Sequence, residues 1–200
     1  SGEYWVYVEV NEGSYGGRCG KDGLDSVDNL IANTRNNPIE ELEMRLPMRC
    51  NRYELRNEDA TPGKWRGGVG IVRTWEFLEG GLFTGEGDRH TDPPKGILGG
   101  KDGLTGSLTL NPGTDKEKSL PAKLTNYKIK AGDILEIKTP SAAGYGDPFE
   151  RDPNKVLEDV RDEYTSKENA KKQYGVIITE DYTVDITATD EYRRLVKSTN

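Results

Sequence analysis

Glycine constrains this chain more than any other residue type. There are 24 glycines in 200 residues, about 12%, against a usual share near 7%. They fall in clusters, without the every-third spacing that a collagen triple helix needs. Glycine admits positive φ and lets backbones approach closely. The stretches Glu12-Gly13-Ser14-Tyr15-Gly16-Gly17-Arg18 and Lys21-Asp22-Gly23 therefore read as loops of special shape, not featureless linkers. In Lys64-Trp65-Arg66-Gly67-Gly68-Val69-Gly70 the glycines favour tight strand packing over phosphate binding. In Ala143-Gly144-Tyr145-Gly146-Asp147-Pro148 a rigid turn is the simpler account of a tyrosine that could also line a pocket.

Between the glycine clusters the apolar residues are few. They make up 32% of the chain, below the usual 45–50% or so, which suggests a core that leans on a neighbour. Full disorder is excluded, because three Trp, ten Tyr, three Phe and several β-branched runs can still build a core. No apolar run approaches the roughly 18–20 residues of a membrane span. The net charge of −7 with a pI near 5.0 disfavours a nucleic-acid partner. Cys19 and Cys50 have no C-x-x-C spacing, so neither a zinc site nor a disulfide framework is expected; both read as buried free thiols, with a single bridge between them as the alternative. Ser1-Gly2-Glu3-Tyr4 is neither basic nor apolar, so it is no signal peptide. The expected location is the cytoplasm, and the missing initiator Met suggests a processed or recombinant piece.

The order of elements predicts an α+β fold. Tyr4 to Val10 alternates bulky and polar groups as a strand does. Pro38 opens a short helix with Ile39, Leu42 and Leu46 on one face, and Pro47 stops it. Cys50 to Arg56 alternates again, and Val69 to Leu78 is the strongest strand signal in the sequence. Gly80-Gly81 should turn the chain into a partner strand, Leu82-Phe83-Thr84. Pro93-Pro94 makes 87 to 103 a loop. Further strands are expected at Gly106 to Leu110, Ala122 to Ile129 and Asp133 to Lys138. After Pro148 the pattern becomes helical: Asp152 caps a helix that starts at Pro153, and Thr165 with Glu168 suggests a capping box for a second helix ending at Gly175. Val176 to Ile178 and Tyr182 to Ile186 read as a closing hairpin, and a last helix is expected near Asp190 to Lys197. The division is thus a β-rich part, residues 1–150, with antiparallel or mixed sheets, and a mixed tail of short helices, 151–200, packing on it or on a partner.

No self-contained catalytic motif is present. The single histidine, His90, rules out a His-rich zinc site within the chain. There is no phosphate-binding P-loop, and Gly13-Ser14-Tyr15-Gly16-Gly17 does not follow the dinucleotide pattern. Two polar clusters stand out. Asn33-Thr34-Arg35-Asn36-Asn37-Pro38-Ile39-Glu40-Glu41, running into the first helix, offers donors for an anion or a carbonyl oxygen. Alternatively, Asn36 or Asn37 merely caps that helix. Gly87-Asp88-Arg89-His90 could bind a carboxylate or phosphate or move a proton, and an internal salt bridge pinning the loop explains it equally well.

In this order, the clusters resemble the C-terminal part of the hydantoinase B/oxoprolinase family. The matching residues are Ala32-Asn33-Thr34-Arg35-Asn36-Asn37-Pro38-Ile39-Glu40, Arg52-Tyr53-Glu54-Leu55-Arg56 and Gly63-Lys64-Trp65-Arg66-Gly67-Gly68-Val69-Gly70-Ile71-Val72-Arg73. Asp88-Arg89, Pro93-Pro94-Lys95-Gly96, Gly99-Gly100, Ala131-Gly132-Asp133 through Thr139-Pro140, and Gly144-Tyr145-Gly146-Asp147-Pro148 complete the set. The likeness spans roughly 4–178. Asp25-Ser26-Val27-Asp28 stands where the family often has a histidine-bearing segment.

The resemblance implies a part of an ATP-dependent hydrolase of hydantoins, 5-oxoproline or related lactams. The family also includes subunits of acetone and acetophenone carboxylases. It implies an A-type partner that binds ATP with Mg and phosphorylates the carbonyl or enol oxygen of the substrate, turning a poor leaving oxygen into a good one. It further implies a divalent metal held in the N-terminal part of B-type proteins, which lies outside this sequence, and no cofactor within the chain. The chain is then a C-terminal domain or a split small subunit, inactive alone. On this reading Asn33, Arg35 and Asn36 face the substrate, Arg89 neutralises negative charge, and Asp88 and His90 orient Arg89; the catalytic residues stay unassigned. A ketone carboxylase subunit and a non-catalytic scaffold are the alternatives.

Overall fold

The strongest strand signal becomes the centre of the molecule. The computed structural model describes residues 4–29 and 31–199. Strand β2 (Ile71–Phe77) is buried on nearly every residue, because it is flanked on both edges. It pairs antiparallel with β1 (Met48–Leu55) on one side and with β7 (Ile134–Lys138) on the other. Strand β4 (Ser107–Leu110) continues the sheet beyond β7, and β5 (Lys118–Leu120) forms its far edge, in the order β1-β2-β7-β4-β5. Across one row Tyr53 faces Arg73, Arg73 faces Ile137, and Ile137 faces Leu108.

Two sequence expectations need correction here. The strand after Gly80, β3 (Gly81–Glu86), does not pair with β2, whose two edges are already taken. It forms a separate two-stranded sheet with β6 (Lys123–Ile129). Tyr4 to Val10 is extended but joins no ladder. Its alternation survives as burial: Trp5, Tyr7 and Glu9 are half-buried, whereas Tyr4, Val6, Val8 and Val10 are exposed. Side-chain contacts fix this ribbon, chief among them the edge-on packing of Tyr7 on Trp75 with ring centres 6.0 Å apart.

The main core gathers Trp75, Phe77, Leu108, Leu110 and Leu135 with Leu42 of the short helix α1 (Ile39–Arg45). The glycine clusters build a further layer in which backbones touch without side chains between them. A Cβ on Gly67 would lie 2.1 Å from the carbonyl oxygen of Ala142, and one on Gly144 would lie 2.0 Å from that of Pro62. This is the tight packing expected of the glycines around Gly67. Trp65 and Tyr145 bridge through their backbones and meet ring edge to face at 5.6 Å.

After a 3-10 turn at Pro148–Glu150 come α2 (Pro153–Arg161), α3 (Lys167–Tyr174) and α4 (Ile186–Thr199). Asp152 caps α2 through Asn154 N, and Gly175 ends α3 in the left-handed conformation, as the sequence indicates. The cap of α3 is Ser166, whose Oγ accepts from Asn169 N; Thr165, the expected cap, is buried instead. The closing hairpin shrinks to one bridge, Ile178 to Val184. α4 begins four residues before its expected start, where Asp185 Oδ1 accepts from Ala188 N. The molecule is α+β, with antiparallel sheets in its first 140 residues or so and short helices at the end. Among the described residues no helix is long and apolar enough to cross a membrane. Both cysteines are free as expected, but Cys19 is exposed, and Cys50, on β1 at the margin of the main core, is only half-buried.

Candidate functional site

The ribbon of residues 4–10 places Glu9 over the centre of the sheet. Glu9 Oε1 accepts from Trp75 Nε1 at 2.7 Å and from Asn11 Nδ2 at 3.0 Å, and Oε2 accepts from the Tyr7 hydroxyl at 2.8 Å. The fourth partner is Arg73, whose Nη2 lies 3.2 Å from Oε2. Arg73 is fully buried, with its guanidinium 4.4 Å from the Tyr53 ring centre and 4.6 Å from that of Trp75. None of its three side-chain nitrogens makes a directed hydrogen bond. Charge attraction and two ring faces hold it. Burial, reinforced by the hydrogen bond to Glu9, keeps the Tyr7 phenol protonated far above its usual range. Burial also pushes the nearby Cys50 thiol up, against the opposing pull of Arg73, so this thiol is not an activated nucleophile.

Beside this hub, a cavity of about 130 Å³ opens between residues 7–12 and 34–37. It is far smaller than the ~300 Å³ lower end of drug-sized pockets, so it suits a small molecule. Its walls carry two of the sequence-predicted residues, Arg35 and Asn36, together with Glu9 and Glu12, which the sequence did not single out. Asn36 Nδ2 donates to the hydroxyl of Tyr53, tying this loop to β1. Pro38 occupies the cap position of α1 without a side-chain cap bond, so neither asparagine caps the helix. Asn33 lies in the same loop, exposed, with φ of 48°.

The second predicted cluster lies elsewhere. Arg89 is exposed, with φ of 59°, and its carbonyl accepts from Gly106 N just before β4. Among the described residues it forms no ion pair, so the internal salt bridge with Asp88 does not exist. His90 is half-buried and fills space left by the absent Cβ atoms of Gly87 and Gly106. Burial lowers its pKa, with Asp88 opposing. Strands β2 and β7 separate this cluster from the loop tied to β1.

A third group of charges is internal. Asp159 accepts from Arg66 Nε at 3.2 Å and from Arg151 Nε at 2.9 Å, and Arg151 also binds Asp22 through two nitrogens at 2.7 and 3.0 Å. Asp25 accepts from Arg66, from Val69 N and from the Tyr164 hydroxyl. Burial pushes the Asp159 carboxyl up despite both arginines, whereas at Asp22 the Arg151 contacts outweigh burial and hold the carboxyl below its usual range. Every carboxylate here is engaged, so the group is structural. No three His, Cys, Asp or Glu side chains converge as metal ligands among the described residues. The divalent metal that the resemblance implies thus has no donor set on them.

Glu9 and Arg73 were missed because their partners are distant in sequence. One signal exists: Arg73 is a charge inside a dense apolar run, and such a charge needs a partner.

The family model described as hydantoinase B/oxoprolinase matches residues 1–148. Over 193 residues the chain is 49% identical to a protein of Pseudomonas sp. (strain NS671) described as the B-type subunit of a putative D-/L-hydantoinase, covering 96% of this chain and 33% of that protein. It resembles the crystal structure of ATP-dependent caprolactamase from Pseudomonas jessenii with a TM-score of 0.66 and 27% identity, covering 91% of this chain and 32% of that one. A nucleotide-free acetone carboxylase structure gives the same TM-score of 0.66 at 19% identity, covering 90% of this chain and 29% of that one, and shares the fold. The chain spans about a third of the length of the first relatives it matches.

Proposed function

The chain belongs to the hydantoinase B/oxoprolinase family, and from that premise we propose that it forms part of an ATP-dependent enzyme that opens cyclic amides. The observation that carries this is the 49% identity, over nearly the whole chain, to a protein described as the B-type component of a hydantoinase. The likeness to an ATP-dependent caprolactamase supports both the ring-amide substrate and the use of ATP. The enzyme is an assembly: an A-type partner takes up ATP with Mg and phosphorylates the ring carbonyl oxygen, and the B-type chain completes hydrolysis. A divalent metal, where one is needed, is held by the B-type sequence beyond this third. A cytoplasmic location belongs to the same reading, since ATP is consumed.

Within this assembly Arg35 and Asn36 face the substrate, supported by their position on the wall of the small cavity. Asn33, in the same loop, approaches it from outside. Arg89, exposed and free of ion pairs among the described residues, serves a developing negative charge contributed by the rest of the assembly.

The test is an assay of the full-length protein co-expressed with its ATP-binding partner. ATP consumption should be stimulated by hydantoin, 5-oxoproline or a lactam, should yield the ring-opened acid, and should not depend on bicarbonate. ATP use that requires bicarbonate and yields a carboxylated ketone would move the protein to the carboxylase branch of the family.

A further inference from the structure

The 130 Å³ cavity holds unused hydrogen-bonding capacity of both kinds. Both oxygens of Glu9 are already engaged, by hydrogen bonds from Tyr7, Trp75 and Asn11 and by the charge of Arg73, so Glu9 forms the floor of the cavity. Glu12 and Arg35 differ. Both line the cavity, yet among the described residues neither makes a hydrogen bond or ion pair, with each other or with anything else.

A molecule that satisfies this wall must present a donor toward Glu12 and an acceptor toward Arg35. The edge of a secondary amide does so only when its N–H and C=O point the same way, that is, in the cis form. Open-chain secondary amides are trans, and the cis form costs them about 2.5–4 kcal/mol. A small ring locks the amide cis at no such cost. Resting on the reading that the assembly acts on cyclic amides, we propose that Glu12 and Arg35 form a cis-amide reader. The Glu12 carboxylate accepts the ring N–H, and the Arg35 guanidinium donates to the ring carbonyl. The pair thereby favours the ring over an open-chain secondary amide.

Binding without ATP tests this, using the full-length protein assembled with its ATP-binding partner and hydantoin as the probe in calorimetry. Glu12→Ala and Arg35→Ala should each weaken hydantoin binding about tenfold or more, the loss expected of a charge-assisted hydrogen bond. Both variants should keep the parental Tm. A hydantoin methylated on both nitrogens should bind the parent at least about tenfold more weakly, and Glu12→Ala should shrink that penalty. Unchanged hydantoin affinity in both variants would overturn the cis-amide reader and leave the cyclic-amide function standing. A lowered Tm would mark the two residues as structural and overturn it too. Failure of the parental assembly to bind hydantoin, pyrrolidinone or caprolactam at millimolar concentration would overturn both readings together.

Discussion

Arg73 carries a full positive charge inside the sheet with no hydrogen bond and no exposure. An isolated buried charge is expensive, so something must offset it. The Glu9 carboxylate at 3.2 Å supplies the opposite charge, and the faces of Tyr53 and Trp75 supply cation–π attraction, worth up to about 2 kcal/mol when desolvated. Glu9→Ala removes the carboxylate and leaves the guanidinium uncompensated. It should lower stability by about 3–5 kcal/mol in urea unfolding, whereas Glu12→Ala should stay within about 0.5 kcal/mol. Equal effects of the two would show that Glu9 is not the counter-charge. At this scale the sequence was half legible. The density of amides and charge before a proline pointed to Arg35 and Asn36, and the cavity carries both. Glu9, Glu12 and Arg73 were not legible. Arg73 meets Glu9 across 64 positions of chain, through a ribbon whose docking no local pattern specifies.

The elements were legible wherever one local signal decided them. Strands β1, β2 and β7 follow from alternation or from a dense apolar run, and α2 follows from Asp152-Pro153. Errors arose where a tertiary choice overrode the pattern. Tyr4 to Val10 alternates like a strand, but its backbone joins no ladder. β3 has a turn suited to pairing with β2, but β1 and β7 already occupy both edges. Strand β5 is three residues long with one apolar side chain, too short to announce itself. At α3 two hydroxyls compete for one cap, and burial of Thr165 gives the role to Ser166. Ser166→Ala should therefore cost about 1 kcal/mol of stability. Glu168→Ala, which the capping-box pattern would make costly, should cost no more than about 0.5 kcal/mol. The reverse order in thermal unfolding would restore Thr165 as the cap.

Across the whole molecule two apolar clusters, one in the sheet and one among the terminal helices, are joined by charges as well as by packing. Arg66 and Arg151 bind aspartates from both ends of the chain, Asp22 and Asp25 from the glycine loops and Asp159 from α2. The glycine layer brings those loops close enough for this, since a Cβ on Gly68 would lie 2.1 Å from the carbonyl oxygen of Leu24 and one on Gly17 would lie 2.2 Å from that of Trp65. Several large apolar residues nevertheless face outward, among them Val8, Ile31 and Met44, in a chain that spans about a third of its relatives. The proposed function belongs to the larger assembly, and its central claim is that a ring carbonyl oxygen is phosphorylated before the ring opens. That oxygen must then leave on phosphate. The most direct measurement uses the full assembly, ATP and a cyclic amide labelled with ¹⁸O at the carbonyl, followed by mass spectrometry of the released phosphate. The account predicts one labelled oxygen in each phosphate formed per ring opened. Ring opening with the label wholly retained in the acid product, and phosphate released unlabelled, would contradict it.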